Sequence, residues 1–205
     1  DLQTTTVNDF TFVVNRTAFP KMKAPEFDGI DKYHAFIDMT VVAYGRKYQL
    51  TFDVNGTEYK PVFATPTDGS TQLDADAILD DLVKDINDDV PGVTATKIGS
   101  GIYCESDDVF TIETPTTELF DILAPFSDEI KLSDTETKIA HWTSVNNVTE
   151  LPTQCKDGLI CQVANTDSDR DDYYLKFYGS EGDDGTGVWE ETVRPGLRNT
   201  FDETT

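Results

Sequence analysis

The sequence predicts a β-rich α+β protein, antiparallel sheets with one amphipathic helix at about residues 75–87, and three observations carry that prediction. From Tyr48 to Val54 apolar and polar residues alternate, which is the two-residue period of a strand with one buried face. From Ala75 to Ile86 the period changes to that of a helix. Hydrophobic residues at 38% and aromatics at 11% supply enough core-forming surface for an ordered β-rich chain, where disorder would need fewer aromatics.

The elements follow in order. Phe10 to Asn15 (FTFVVN) is apolar at nearly every position, so a strand buried on both faces is expected. Residues 17–32 carry two prolines and few aliphatics and read as an exposed loop. A second β region runs from Ala35 to Val42 and breaks at Tyr44-Gly45. In the next strand Tyr48, Leu50, Phe52 and Val54 face inward, and Asn55-Gly56 gives a tight hairpin because both residues tolerate a positive φ. Thr57 to Phe63 returns, with Pro61 placing it at a sheet edge because proline has no N–H for the ladder.

Ala75, Ile78, Leu79, Leu82, Val83 and Ile86 form the helix stripe, expected to cover the preceding sheet. Asp74 is the N-cap and Pro91 blocks continuation. Val93–Ile98 and Ile102–Cys104 flank Gly99-Ser100-Gly101 as a second hairpin, and Val109–Ile112 adds a short strand. Thr117 to Leu123 reads as one or two helical turns ending before Pro125. Ser127 to Glu136 is acidic and polar and reads as a boundary. Short strands follow at Lys138–Trp142 and Leu159–Val163. The expected organisation is therefore a strand and loop over residues 1–34, an α+β unit over 35–126 and a β-rich unit over 137–205.

The 205 residues carry 16 Lys and Arg against 39 Asp and Glu, a net charge of −23. Residues 1–60 hold 7 basic against 8 acidic side chains, and residues 61–205 hold 9 against 31. Such self-repulsion disfavours packing the second part against nucleic acid or an anionic membrane. Two readings of the acidity stand together: solvation in a saline habitat, or the wall of a conduit along which DNA slides without sticking. No apolar run is long enough for a membrane-spanning helix.

No residue is assigned a catalytic, cofactor or metal role. Cys104, Cys155 and Cys161 are too few and too irregular for a disulfide framework or a zinc site; Cys155 and Cys161 either close a small loop around Lys156-Asp157-Gly158 or stay free, and free thiols are expected. The acidic run from Asn165 to Asp172 suggests a calcium loop, yet the position needing glycine holds Arg170 and the one needing glutamate holds Lys176, so a solvated turn is expected. Gly99-Ser100-Gly101 lacks the lysine and spacing of a phosphate loop. His34 and His141 have no nucleophile near them in sequence and read as structural.

The most informative segment is Asp171 to Leu197, DDYYLKFYGSEGDDGTGVWEETVRPGL. Tyr173, Leu175 and Phe177 alternate with Tyr174, Lys176 and Tyr178, a polar loop from Gly179 to Gly187 turns the chain, and Val188, Trp189 and Val193 return to a stop at Pro195-Gly196. This order of parts resembles the tail nozzle proteins of short-tailed bacteriophages, also called tail tubular protein B. VNDFTFVVNR (Val7 to Arg16), AYGRKYQLTFDVNG (Ala43 to Gly56) and ATPTDGST (Ala64 to Thr71, with Thr67 added) resemble further motifs of that family in the same order. The stretch Ala18 to His34 is longer than the family pattern, and the ends at Asp1 and FDETT suggest an internal fragment.

The resemblance implies a non-enzymatic virion part without cofactors. It implies a homohexameric nozzle beneath a tail adaptor protein, bearing tail fibres, conducting DNA without specific binding and meeting the host cell surface only indirectly. Assembly in the host cytoplasm is expected with it. Two rivals remain at this level. Exposed Tyr174, Tyr178 and Trp189 would suit a carbohydrate-binding module, and a cleft with carboxylates of split pKa would suit a polysaccharide-degrading tail enzyme.

Overall fold

Strands dominate the computed structural model, which describes residues 2–17, 21–27, 29–69, 71–164, 172–198 and 200–202. The chain divides into two units, residues 1–26 with 197–205, and residues 27–196.

In the first unit β1 (Leu2–Val7) and β2 (Phe10–Asn15) form an antiparallel hairpin, with Val7 opposite Phe10 and Asn8 at φ +53° in the turn. Every residue of both strands is exposed. This overturns the expectation that β2 is buried on both faces. The apolar run does ask for cover, but among the described residues its one hydrogen-bonded neighbour is β1, whose centre is Thr4-Thr5-Thr6. Elsewhere in this unit Lys23 N–H donates to Thr200 O at 2.9 Å, Asp202 N–H donates to Lys21 O at 2.8 Å, and Arg198 pairs with Glu26.

The second unit begins with β3 (Tyr33–Met39), β4 (Lys47–Gln49), β5 (Thr51–Val54), β6 (Thr57–Tyr59) and β7 (Val62–Ala64). Tyr48, Leu50, Phe52 and Val54 are all buried, as their alternation requires. The single strand expected there is divided at Leu50: β4 pairs with β7, while β5 pairs with β6 and with a later strand. Its return partner breaks at Lys60-Pro61, where Pro61 O accepts from Leu50 N–H at 3.1 Å. Asn55 and Gly56 occupy the turn at φ +53° and +79°, the pair of positive values that a tight primed turn needs. β3 ends at Met39, so Val41 and Val42, expected in the strand, lie outside it and are exposed.

The helix α1 (Ala75–Asp89) is capped by Asp74, whose carboxylate accepts from Asp76 N–H at 3.0 Å. Ile78, Leu79, Leu82 and Ile86 are buried. They meet the preceding strands at Leu50 and Phe52, as expected, and also the following hairpin of β8 (Val93–Ile98) and β9 (Gly101–Ser106) at Ala95, Ile102 and Cys104. Asn87 fixes this second contact by bonding both main-chain groups of Ala95, at 3.0 and 2.8 Å.

The remaining strands are β10 (Phe110–Glu113), β11 (Phe120–Lys131), β12 (Thr137–Val145), β13 (Gln154–Cys155), β14 (Ile160–Val163), β15 (Tyr173–Gly179) and β16 (Gly185–Thr192). β10 is the later partner of β5. Nine strands form one sheet in the order β13-β16-β15-β14-β12-β11-β3-β9-β8, parallel only between β12 and β14.

β11 corrects the reading of Thr117–Leu123 as helical turns. A single turn, closed by Leu119 N–H to Thr116 O at 3.0 Å, precedes a twelve-residue strand. Phe120–Leu123 pair with β3, and Ala124–Lys131 pair with β12. Pro125 stands just past the end of the β3 ladder, where one side of the strand is unpaired and a missing N–H is tolerated. Ser127 to Glu136, read as a boundary, runs along β11 and through the turn into β12.

Candidate functional site

The side-chain arrangement richest in chemistry lies on the face of the large sheet opposite α1. Alternation along β3 sends Ala35 and Ile37 toward the helix and His34 and Phe36 the other way. In the β3–β9 register His34 is opposite Glu105, and Tyr103 sits two residues along on the same face. These residues, with Lys32, Lys156, Lys176 and His141, line a cleft of about 480 Å³.

Its centre is a chain of polar contacts. Gly29 O meets His34 Nε2 at 3.2 Å, His34 Nδ1 meets the Tyr103 hydroxyl, and that hydroxyl meets Glu105 Oε2 at 3.1 Å. Lys32 Nζ is 3.4 Å from Glu105 Oε1. Burial pushes the His34 imidazole below its ordinary pKa against the opposing pull of Glu105, and burial followed by the Glu105 charge raises the Tyr103 phenol. Lys156 Nζ stands 5.0 Å from the Tyr103 ring centre and 3.5 Å from Asp184 Oδ2. Lys156 belongs to a built turn: Asp157 N–H donates to Asp184 Oδ1 at 2.8 Å, Gly179 N–H donates to Asp157 Oδ1 at 2.9 Å, and Gly158 takes φ +82°.

His141 enters the cleft from β12, its ring stacked on Tyr33 at 3.9 Å. The residue is 8% exposed, and its Nδ1 is buried with no hydrogen-bond partner. Burial holds its pKa below the ordinary histidine value.

The other sequence candidates stand apart from this cleft. Cys104, Cys155 and Cys161 are buried free thiols, each raised by burial, Cys161 to about 12. Gly99-Ser100 is the β8–β9 turn, with Ser100 Oγ donating to Asp38 at 2.8 Å. Of the acidic run at 165–172 only Asp172 lies within the described residues, where it accepts from Gln162 Nε2 at 2.8 Å.

The three rings considered for sugar stacking do not form one open face. Tyr174 meets the Trp142 ring edge-on at 5.8 Å, and Trp189 meets Phe177 at 5.2 Å while its indole N–H donates to Pro152 O at 2.9 Å. Tyr178 is the one exposed ring of the three, at 42%. Sequence reasoning treated His34 and His141 as separate structural residues and did not see that the sheet order brings both to one cleft. The lysines carried no sequence signal at all.

The described residues thus form a β-rich framework that carries one polar cleft and an exposed apolar hairpin. The family model of bacteriophage nozzle proteins matches residues 1–205, the whole of the sequence, and the chain belongs to that family. It is thus a structural part of a phage tail. No curated protein matches the chain.

Proposed function

We propose that this chain builds the wall of a tail nozzle by associating with copies of itself, six in the arrangement the resemblance implies, and that DNA passes through the resulting tube. The observation that carries this reading is the β1–β2 hairpin. Leu2, Val7, Phe10, Phe12, Val13 and Val14 are each 55–72% exposed on a two-stranded ribbon. An isolated ribbon of this kind is marginally stable in water, and a surface of this composition marks an interaction site. A neighbouring copy that packs on it supplies the missing cover and closes a ring by cyclic symmetry.

The charge supports the second half of the proposal. The net −22 of residues 61–205 disfavours adhesion of phosphate backbones, so a duplex in such a tube meets repulsion rather than binding sites. Attachment to a tail adaptor and to fibres follows the same reading. The test is the mass of the full-length protein in solution together with a density map of the particle. A closed ring with β1–β2 between copies and carboxylates on the inner wall is expected. A monomer at micromolar concentration, or an inner wall lined by Lys and Arg, refutes the proposal.

A further inference from the structure

We infer that the cleft between β3, β9, β12 and the Lys156-Asp157-Gly158 turn is a binding site for a small molecule bearing an oxyanionic group, phosphate or carboxylate. Its volume of about 480 Å³ lies within the range of small-molecule sites, roughly 300–1,000 Å³. In a chain with 39 acidic and 16 basic side chains, three lysines, Lys32, Lys156 and Lys176, line this one cavity. Among the described residues Lys176 has no carboxylate partner; its ammonium lies 5.3 Å from the Tyr178 ring centre. Lysine is a compact point charge suited to oxyanions.

Of the three carboxylates lining the cleft, Glu105 and Asp157 are already engaged, and Lys156 is itself paired with Asp184. Glu105 is held by Lys32 and Tyr103, and Asp157 accepts from Gly179 N–H. Asp31 is exposed and lies near both histidines. The buried Nδ1 of His141, a residue of the same lining, has no hydrogen-bond partner, so this ring nitrogen is a polar group left unengaged at the cleft.

The His34 chain supplies a second reason. Three contacts link Gly29 O, His34, Tyr103 and Glu105, and each needs one proton. A neutral imidazole and a phenol bring two, so the Tyr103 proton serves either His34 or Glu105 but not both. An imidazolium brings the third. An anion in the cleft favours that imidazolium and completes the chain, so anion binding takes up a proton. The charged and titratable groups lining the cleft around His34 are Lys32 and Asp31 before β3, Tyr103 and Glu105 on β9, His141 on β12, Lys156 and Asp157 from the turn and Lys176 on β15. One linked proton tightens binding by up to about tenfold per pH unit of fall.

The chain has two histidines, so their ring signals in NMR report the site directly. Inorganic sulfate, whose charge is constant from pH 5 to 8, is titrated against chloride at equal ionic strength, with phosphate and acetate as the parallel arms. The expected result is a saturable shift of both ring signals, an upward move of the His34 titration in sulfate, and tighter binding at pH 6 than at pH 7.5. Lys156→Gln with Lys176→Gln, both at solvent-reachable positions, abolishes the response while the rest of the spectrum stays folded. Response to acetate alone assigns the site to planar carboxylates, and response to sulfate and phosphate alone assigns it to tetrahedral groups. Identical titrations in sulfate, acetate and chloride, or an unchanged response in the double variant, overturn the inference.

Discussion

Replacing Phe10 and Phe12 by serine separates the stability of the chain from the stability of its assembly. The two rings are 72% and 56% exposed, so little of their burial energy is realised within one chain. Removing them should change the unfolding free energy of the single chain by no more than about 0.5 kcal/mol, the usual range for surface positions. In an assembly that covers the hairpin the same rings contribute the remainder. At about 2.5 kcal/mol for full burial of a phenylalanine, the exposed fractions amount to roughly 3 kcal/mol per interface. That corresponds to about two orders of magnitude in the dissociation constant. Sedimentation velocity over a concentration series reads the assembly, and urea unfolding at low concentration reads the chain. Salt adds a second check: association through a nearly uncharged hairpin between acidic copies should strengthen as salt rises, because screening removes repulsion. An unchanged sedimentation profile for the double variant refutes the role of the hairpin. A large loss of chain stability refutes its exposure.

Leu82→Ala removes a fully buried side chain of the helix stripe and should cost about 2–5 kcal/mol in urea unfolding. Gly56→Val forces a β-branched residue to φ +79° and should cost about 1 kcal/mol or more, with an unchanged midpoint locating the turn elsewhere. Thiol titration without reductant should find no reactive group in the native chain and three after denaturation, because burial raises all three cysteines and leaves no thiolate. The histidines should make the protein lose stability as pH falls below about 6.5. Burial depresses both folded pKa values, so in that window the unfolded chain binds more protons than the native one. His141→Gln should flatten the slope of midpoint against pH between 5 and 7.

What the sequence revealed and what it concealed divide along the range of the interactions. The helix was legible because its causes are local: a stripe from Ile78 to Ile86, a cap at Asp74 and a stop at Pro91. The Asn55-Gly56 turn was legible for the same reason, since two adjacent residues determine its backbone. β11 was not. Its strand character comes from β3 on one side and β12 on the other, partners far away in the sequence, while Pro125 locally suggests a stop. The cleft was hidden more deeply. His34 and His141 share it because β3 and β12 flank β11, and its proton chain depends on the register that sets His34 against Glu105. Neither sheet order nor register is encoded in the spacing of the residues themselves.

The hairpin shows a subtler failure of the same kind. An apolar run such as Phe10–Val14 states that a surface is to be covered, and it says nothing of which body covers it. The charge distribution narrows that choice. From Leu2 to Asn15 the chain carries one charged side chain, Asp9. Two copies at −23 that met through their acidic residues would bring many like charges within the screening distance, about 8 Å at physiological salt. Meeting through the hairpin brings few. On the proposed reading the acidic surface and the neutral apolar arm act together: the first opposes indiscriminate contact with nucleic acid and with other copies, and the second offers a route by which copies can join. The proposed tube would require both properties, since its wall would have to hold together while a duplex inside it stayed free to move.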